Sequence, residues 1–348
     1  MAKAVSKRIN LALQGGGAHG AFTWGVLCRL LQDEDIEIAA ISGTSAGALN
    51  AAALKSGWVA DGRAGALKNL EWLWGQVGAI TDPNFSHWVA SLAPTAGIWA
   101  KALEYSPTYA AFDMTTRMLS PYAYGPALSN PLERIVSQFA YDAVCAKTGP
   151  ELHICATNVR SGKIRVFTGE EIMPDVILAS ACLPSLFQAV EFTDPATGQT
   201  EAFWDGGYTG NPALFPLFRK DLPADVLIVN INPLYREALP TDVQSIQNRV
   251  NEISFNSSLL RELRAIEFVR RLIGDGAIKP GTMKDVLVHM IADDGLMNEL
   301  NVATKTIPTA IVLARLKEAG EAAADAFLRT HKDDLNARST VNLTDMFS

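Results

Sequence analysis

Cysteine is scarce and unpatterned: the 348 residues hold four, Cys28, Cys145, Cys155 and Cys182, with no CxxC pair and no histidine spacing suited to zinc. No metal site is expected, and the thiols read as reduced and structural. Positive charge is also short. Thirty Lys and Arg face 37 Asp and Glu, a formal net charge of -7 with a pI near 5.3. A general affinity for nucleic acid, which needs a positive surface, is argued against. A membrane surface as a transient contact stays open, because a local apolar or basic patch can work against an acidic background. Long apolar runs are missing as well. After Lys3, Lys7 and Arg8 the apolar stretch is only Ile9 to Leu13, too short for the core of a signal peptide. The run from Ala39 to Leu54 is rich in Gly, Ser and Ala and contains Asn50, so it does not read as a membrane span. A cytoplasmic protein, peripheral to a membrane at most, is the expectation. With no internal repeat and no low-complexity linker, a second independent domain is not supported.

What is present is enough apolar material for one sizeable core, 48% hydrophobic against 19% charged residues. Arg8 to Leu13 reads as a short buried strand stopped by Gly15-Gly16-Gly17. Phe22, Val26, Leu27, Leu30 and Leu31 then follow helical spacing. Acidic residues 33 to 37 lead back into a second strand, Ile38 to Ile41. A tight Gly-Thr-Ser-Ala-Gly turn opens an alanine-rich helix from about Ala46 to Lys55, closed by Gly57. Strand, helix, strand, helix predicts a mostly parallel sheet covered by helices.

From Trp58 the texture changes. Five of the seven tryptophans (Trp58, Trp72, Trp74, Trp88, Trp99), with Tyr105, Tyr109, Phe112, Tyr122 and Tyr124, fall in a stretch read as an insertion or cap over 58–130. Ordinary core packing is the plainer account of those aromatics. The sheet resumes at Leu152–Ala156, Ile164–Phe167 and Val226–Ile231. Residues 241 to 273 lack Pro and Gly and carry apolar residues at helical spacing, a long amphipathic helix or helix pair. A further helix covers roughly 308 to 330. The predicted organisation is a catalytic core over 1–240 and a helical extension over 241–348 packed on the same domain.

Gly15-Gly-Gly-Ala-His-Gly20 fits G-x-G-x-x-G between a strand and a helix, the dinucleotide fingerprint. That fingerprint needs an acidic residue at the end of the second strand, where this chain has Ser42-Gly43-Thr44-Ser45. A nucleotide-binding oxidoreductase therefore fails its second test. What remains is a row of backbone N–H groups at a helix start, suited to negative charge. In a hydrolase that charge is an oxyanion, and Gly15, Gly16, Gly17 and Ala18 are the candidate donors.

Gly43-Thr-Ser-Ala-Gly47 fits G-x-S-x-G in the strand-to-helix context that motif requires, making Ser45 the candidate nucleophile. His289 would keep the order Ser, Asp, His of common α/β hydrolases, but it sits inside the apolar run Val286–Ile291. His153 has the same problem, and neither His87 nor His331 lies beside a chemical motif. The alternative base is Asp205, in Phe203-Trp-Asp-Gly-Gly-Tyr208, set at a strand end before Gly206 and Gly207. It would need a raised pKa or a transfer concerted with attack.

Taken in order, these blocks resemble the patatin-like phospholipases and lipid acyl hydrolases. The resemblance covers about residues 8 to 231 and rests on Gly15–Gly20, Gly43–Gly47 and Asp205-Gly206-Gly207. Ala179-Ser-Ala-Cys-Leu-Pro184 with Phe187, and Asn211-Pro212, support it. It implies a three-layer α/β sandwich, a Ser45–Asp205 dyad, no cofactor, and a phospholipid, lysophospholipid or other acyl ester as substrate. Where many members carry Arg or Lys this chain has His19, so any help a cation gives the loop is expected to depend on pH. A catalytically idle scaffold is the other reading, which the intact Ser45 and Asp205 oppose.

Overall fold

A computed structural model of the chain describes residues 6–79, 119–123, 130–279, 281–300 and 302–347. Lys7–Leu13 forms β1 at the centre of an eight-stranded sheet, buried without a break from Ile9 onward, as a strand covered on both faces must be. β2 (Ile36–Thr44) and β7 (Asp225–Asn230) flank it in parallel. β3 (Glu151–Asn158) continues parallel to β2, and β8 (Leu287–Ala292) parallel to β7. The remaining strands run antiparallel: β4 (Ile164–Thr168) on β3, β5 (Val190–Thr193) on β6, and β6 (Thr200–Asp205) on β3.

Successive residues point to opposite faces, and the core divides accordingly. Leu11, Leu13, Leu227 and Val229 enter one apolar cluster, and Ala12, Val226, Ile228 and Val288 the other. The first is covered by α1 (Gly20–Leu31), α2 (Ala46–Ala79), α3 (Pro174–Ser180) and, further along the chain, the helix Ala310–His331. The second is covered by α4 (Val243–Gly274), which buries Leu259, Leu263 and Ile266. Helices on both faces of a mixed, largely parallel sheet make the three-layer α/β sandwich that the family resemblance implied.

Several boundaries differ from the sequence reading. β2 begins at Ile36, two residues early, because the acidic edge of the strand is solvated at Glu37. Gly57 does not close α2. The first helical segment runs a few residues past it, the backbone leaves helical angles at Asp61 and Gly62, and a second helical segment continues to Ala79. Trp58 lies on the first of these segments, and Trp72 and Trp74 on the second. Trp74 is buried, stacks on Trp24 at 6.3 Å and donates to Asn50 Oδ1 at 2.9 Å. Trp88, Trp99, Tyr105, Tyr109, Phe112, Tyr124 and His87 lie outside the described residues. The 241–273 segment is one helix, not a pair. The sequence marks β6 only by its end at Asp205, and carries no sign of its antiparallel sense, of β5 or of the edge strand β8.

One detail of the sheet places the chemistry. β3 lends the same edge first to β2 and then to β6: Thr44 is opposite Cys155, and Asp205 is opposite the next residue, Ala156. Two segments 160 residues apart in sequence thus end on neighbouring rungs.

Candidate active site

Ser45 stands immediately after β2 and before α2, at φ 54°, a left-handed conformation that L side chains rarely adopt. The turn is sharp because Gly43 and Gly47 pack on each other across it. Such a strained elbow lifts a side chain clear of the sheet and places it at the positive end of the following helix. The Ser45 N–H donates to Ser180 Oγ at 2.9 Å, and Ser180 donates onward to the Cys155 carbonyl at 2.6 Å.

Asp205 ends β6 with its side chain wholly buried. Its Oδ1 accepts the Gly207 N–H at 2.7 Å, at the head of a single helical turn formed by Gly206, Gly207 and Tyr208. Oδ2 has no hydrogen-bond partner among the described residues. Burial pushes the Asp205 carboxyl up to about 7, against the opposing pull of the Gly207 N–H and the Ser45 hydroxyl. Ser45 thus lies near enough to favour the carboxylate, although no aligned hydrogen bond closes onto Oδ2. The neighbouring Tyr208 and Cys182 are each pushed up to about 12, chiefly by burial and further by Asp205.

The glycine loop reaches the same point from β1. A Cβ on Gly15 would fall 2.6 Å from that of Ser45, so only glycine lets the loop pass so close to this serine. Asn211 clamps the loop from both sides, accepting the Gly15 N–H at 2.6 Å and donating to its carbonyl at 3.3 Å. Asn232 adds a donor to that carbonyl at 2.7 Å. Gln14 in turn accepts from the N–H groups of Ile231 and Asn232. The Gly15 N–H is therefore committed, and the donors left without an acceptor among the described residues are those of Gly16, Gly17 and Ala18. Gly20 opens α1 beyond them.

His19 is not the pH-dependent cation anticipated for the loop. It is buried, with Nε2 2.8 Å from the Thr304 hydroxyl. Burial, then the charges of Lys305 and Arg236, hold it well below its usual value, so it stays neutral through the physiological range.

The histidines weighed as bases lie elsewhere. His289, on β8, bonds Asp225 Oδ1 at 2.9 Å and Thr340 Oγ1 at 3.1 Å. Asp225 begins β7, at the opposite end of the sheet from Thr44 and Asn230. His153 is buried in β3, and His331 pairs with Asp334. Among the described residues no group of three His, Cys, Asp or Glu is placed to hold a metal ion.

The sequence reading found both ends of this arrangement but not its braces. Asn211 and Ser180 stood inside quoted blocks without a role. Gln14, Asn232 and the charged groups around Lys305 carry no motif that would mark them.

The family model described as patatin-like phospholipase matches residues 11–218. Among solved structures, the chain is similar to VipD from Legionella pneumophila, at 16% identity and a TM-score of 0.42 over 93% of this chain and 67% of that one. It is also similar to a structure of full-length SpcU in complex with full-length ExoU from the type III secretion system of Pseudomonas aeruginosa. There the identity is 15% and the TM-score 0.31, over 93% of this chain and 53% of that one, so the chain spans about half that length. No curated protein matches the sequence.

Proposed function

Because the chain belongs to the patatin-like phospholipase family, we propose that it is a serine acyl hydrolase cleaving carboxylic esters of lipids through a Ser45–Asp205 dyad. The family supports a lipid hydrolase in general. The observation that carries the finer reading is the meeting of the two residues on neighbouring rungs of β3, one strained and the other buried with a free oxygen.

In this mechanism Ser45 Oγ attacks the ester carbonyl carbon while Asp205 Oδ2 takes its proton. The carbonyl oxygen becomes an oxyanion facing the N–H groups of Gly16, Gly17 and Ala18, each such donor being worth about 3–4 kcal/mol of barrier. The intermediate collapses, the C–O bond to the alcohol breaks, and Asp205 returns the proton to the departing alkoxide. Water, deprotonated by the same carboxylate, then attacks the acyl-enzyme and releases the fatty acid and free Ser45. A carboxyl near 7 suits both directions of that transfer, since it gives up and accepts a proton at similar cost near neutrality. No step calls on a metal or a cofactor.

Phospholipids, lysophospholipids or related acyl esters are the proposed substrates, met at a membrane surface. Among the described residues no helix is long and apolar enough to cross a membrane.

The test is labelling with a fluorophosphonate beside hydrolysis of p-nitrophenyl butyrate, for wild type, Ser45→Ala and Asp205→Asn. Labelling should vanish with Ser45→Ala, and turnover should fall by at least a thousandfold with Asp205→Asn. A wild-type protein that neither labels nor turns over would support the idle scaffold instead.

A further inference from the structure

Behind the glycine loop lies a charged group drawn from the part of the chain beyond residue 218, where the family match ends. The Glu252 side chain, on α4 and fully enclosed, pairs with Arg236 at 2.7 Å, Arg249 at 3.4 Å and Lys305 at 3.4 Å. Three basic side chains thus surround one carboxylate, and burial lowers the Lys305 ammonium against the opposing pull of Glu252. Arg236 also acts on Asp294, whose carboxyl burial and then Asp293 push up. Lys305 belongs to α5 (Val302–Thr306).

This short helix touches the loop in three ways. Lys305 Nζ reaches Asn232 Oδ1 at 3.3 Å, and Asn232 Nδ2 donates to the Gly15 carbonyl at 2.7 Å. The Lys305 carbonyl lies where a Cβ on Gly17 would stand, 2.3 Å away. The Thr304 hydroxyl meets His19. Loop residues 15, 17 and 19 are thus braced by two consecutive residues of α5, one of them charged.

We infer that Lys305 is a positioning residue for the reaction: it fixes the glycine loop through Asn232 and its own backbone, and with Arg236 it sets a positive field behind the oxyanion donors. After burial, the charges of Lys305 and Arg236 disfavour a proton on His19, in keeping with that direction. Direct contact with a lipid phosphate is the competing use of these cations. Their geometry opposes it, because both side chains are only 18% exposed and Arg236 spends its donors on Glu252 and on the Met297 and Asn298 carbonyls. A field behind the loop acts on any ester, whatever its head group.

The inference rests on the acyl hydrolase reading, and the experiment separates the two. Full-length wild type, Lys305→Met, Lys305→Gln and Lys305→Arg are compared by fluorophosphonate labelling rate, by kcat and KM on p-nitrophenyl butyrate and on phosphatidylcholine vesicles, and by melting temperature. Lys305→Met should label at least tenfold more slowly, with kcat lowered by the same factor on both substrates and KM within twofold. Lys305→Arg should recover most of the rate. Lys305→Gln, which keeps hydrogen bonds to Asn232 and Glu252 without the charge, should fold and remain slow even if the Met variant does not fold. A Gln variant within twofold of wild type overturns the inference, and so does a loss confined to phosphatidylcholine. A wild type inert to every probe overturns the hydrolase reading instead.

Discussion

The Ser180 hydroxyl accepts the backbone N–H of Ser45 and donates its own hydrogen bond to the Cys155 carbonyl, at 2.9 and 2.6 Å. One buried side chain thereby ties the elbow to β3 and to the end of α3. A non-glycine residue at positive φ costs about 1–3 kcal/mol and persists only where its surroundings enforce it. Ser180→Ala leaves a buried donor and a buried acceptor unmatched, a loss of about 1–3 kcal/mol each at most. We expect Ser180→Ala to fold, to unfold at lower urea, and to label with fluorophosphonate at least tenfold more slowly. A wild-type labelling rate would show that the elbow holds its shape without this bond.

Asp205 links pH to both rate and stability. As the proposed base it must be ionised before attack, so kcat/KM should rise with pH through a midpoint near 7 and level off above it. The stability effect has the opposite sense. The folded state holds its proton more tightly than the unfolded chain, from an ordinary 3.8 up to about 7. Its contribution is therefore fully present below about pH 4 and lost as pH rises through about 7, on the order of 4 kcal/mol in all. Asp205→Asn, uncharged at every pH, should melt higher than wild type at pH 8, the gap closing as pH falls toward 4. A gap independent of pH would mean that Asp205 is not buried as a strained carboxylate.

His289 gives the contrasting result. It joins β8 to β7 through Asp225 and to the C-terminal segment through Thr340, while Asn336 holds the same carboxylate by its backbone and side-chain N–H groups. Replacing it by Ala leaves a buried carboxylate short of one partner, at about 3 kcal/mol. His289→Ala should therefore lower the melting temperature by several degrees, yet keep wild-type labelling per folded molecule at 15 °C. Loss of labelling in a folded His289→Ala protein would reopen the question of the base.

The readable parts of this molecule were those whose chemistry is local. Gly43 to Gly47 announces its turn because only small residues fit so tight a bend, and Gly15 to Gly20 announces its loop for the same reason. Asp205 was legible as a strand end before two glycines. Its pairing with Ser45 came only from the family resemblance of the ordered motifs, since the encounter depends on β3 changing partners between Cys155 and Ala156, a register that no single segment encodes. The braces were hidden for a related reason. Asn211, Asn232 and Lys305 are ordinary polar residues in sequence and acquire a role only when chain more than 190 residues away comes to rest on Gly15 and Gly17. Gly57 stands just ahead of the true break, which falls at Asp61 and Gly62, where Gly62 takes a positive φ.

Gly17 offers a way to separate backbone strain from damage to the loop. Gly17 and Gly162 share a left-handed backbone, at φ 59° and 65°. An added Cβ costs each about 1–2 kcal/mol of strain. At Gly162 the new methyl meets open space, whereas at Gly17 it runs into the Lys305 carbonyl. Gly162→Ala should lose that modest stability and label as wild type does. Gly17→Ala must displace either the loop or α5, carrying the Gly16, Gly17 and Ala18 N–H groups off the position where the oxyanion forms. A shift of about an ångström in such a site costs about a hundredfold in rate. Gly17→Ala should therefore label at least a hundredfold more slowly at a stability within a few kcal/mol of Gly162→Ala. Equal labelling of the two variants would remove the glycine loop from the mechanism, and the oxyanion would have to be held elsewhere.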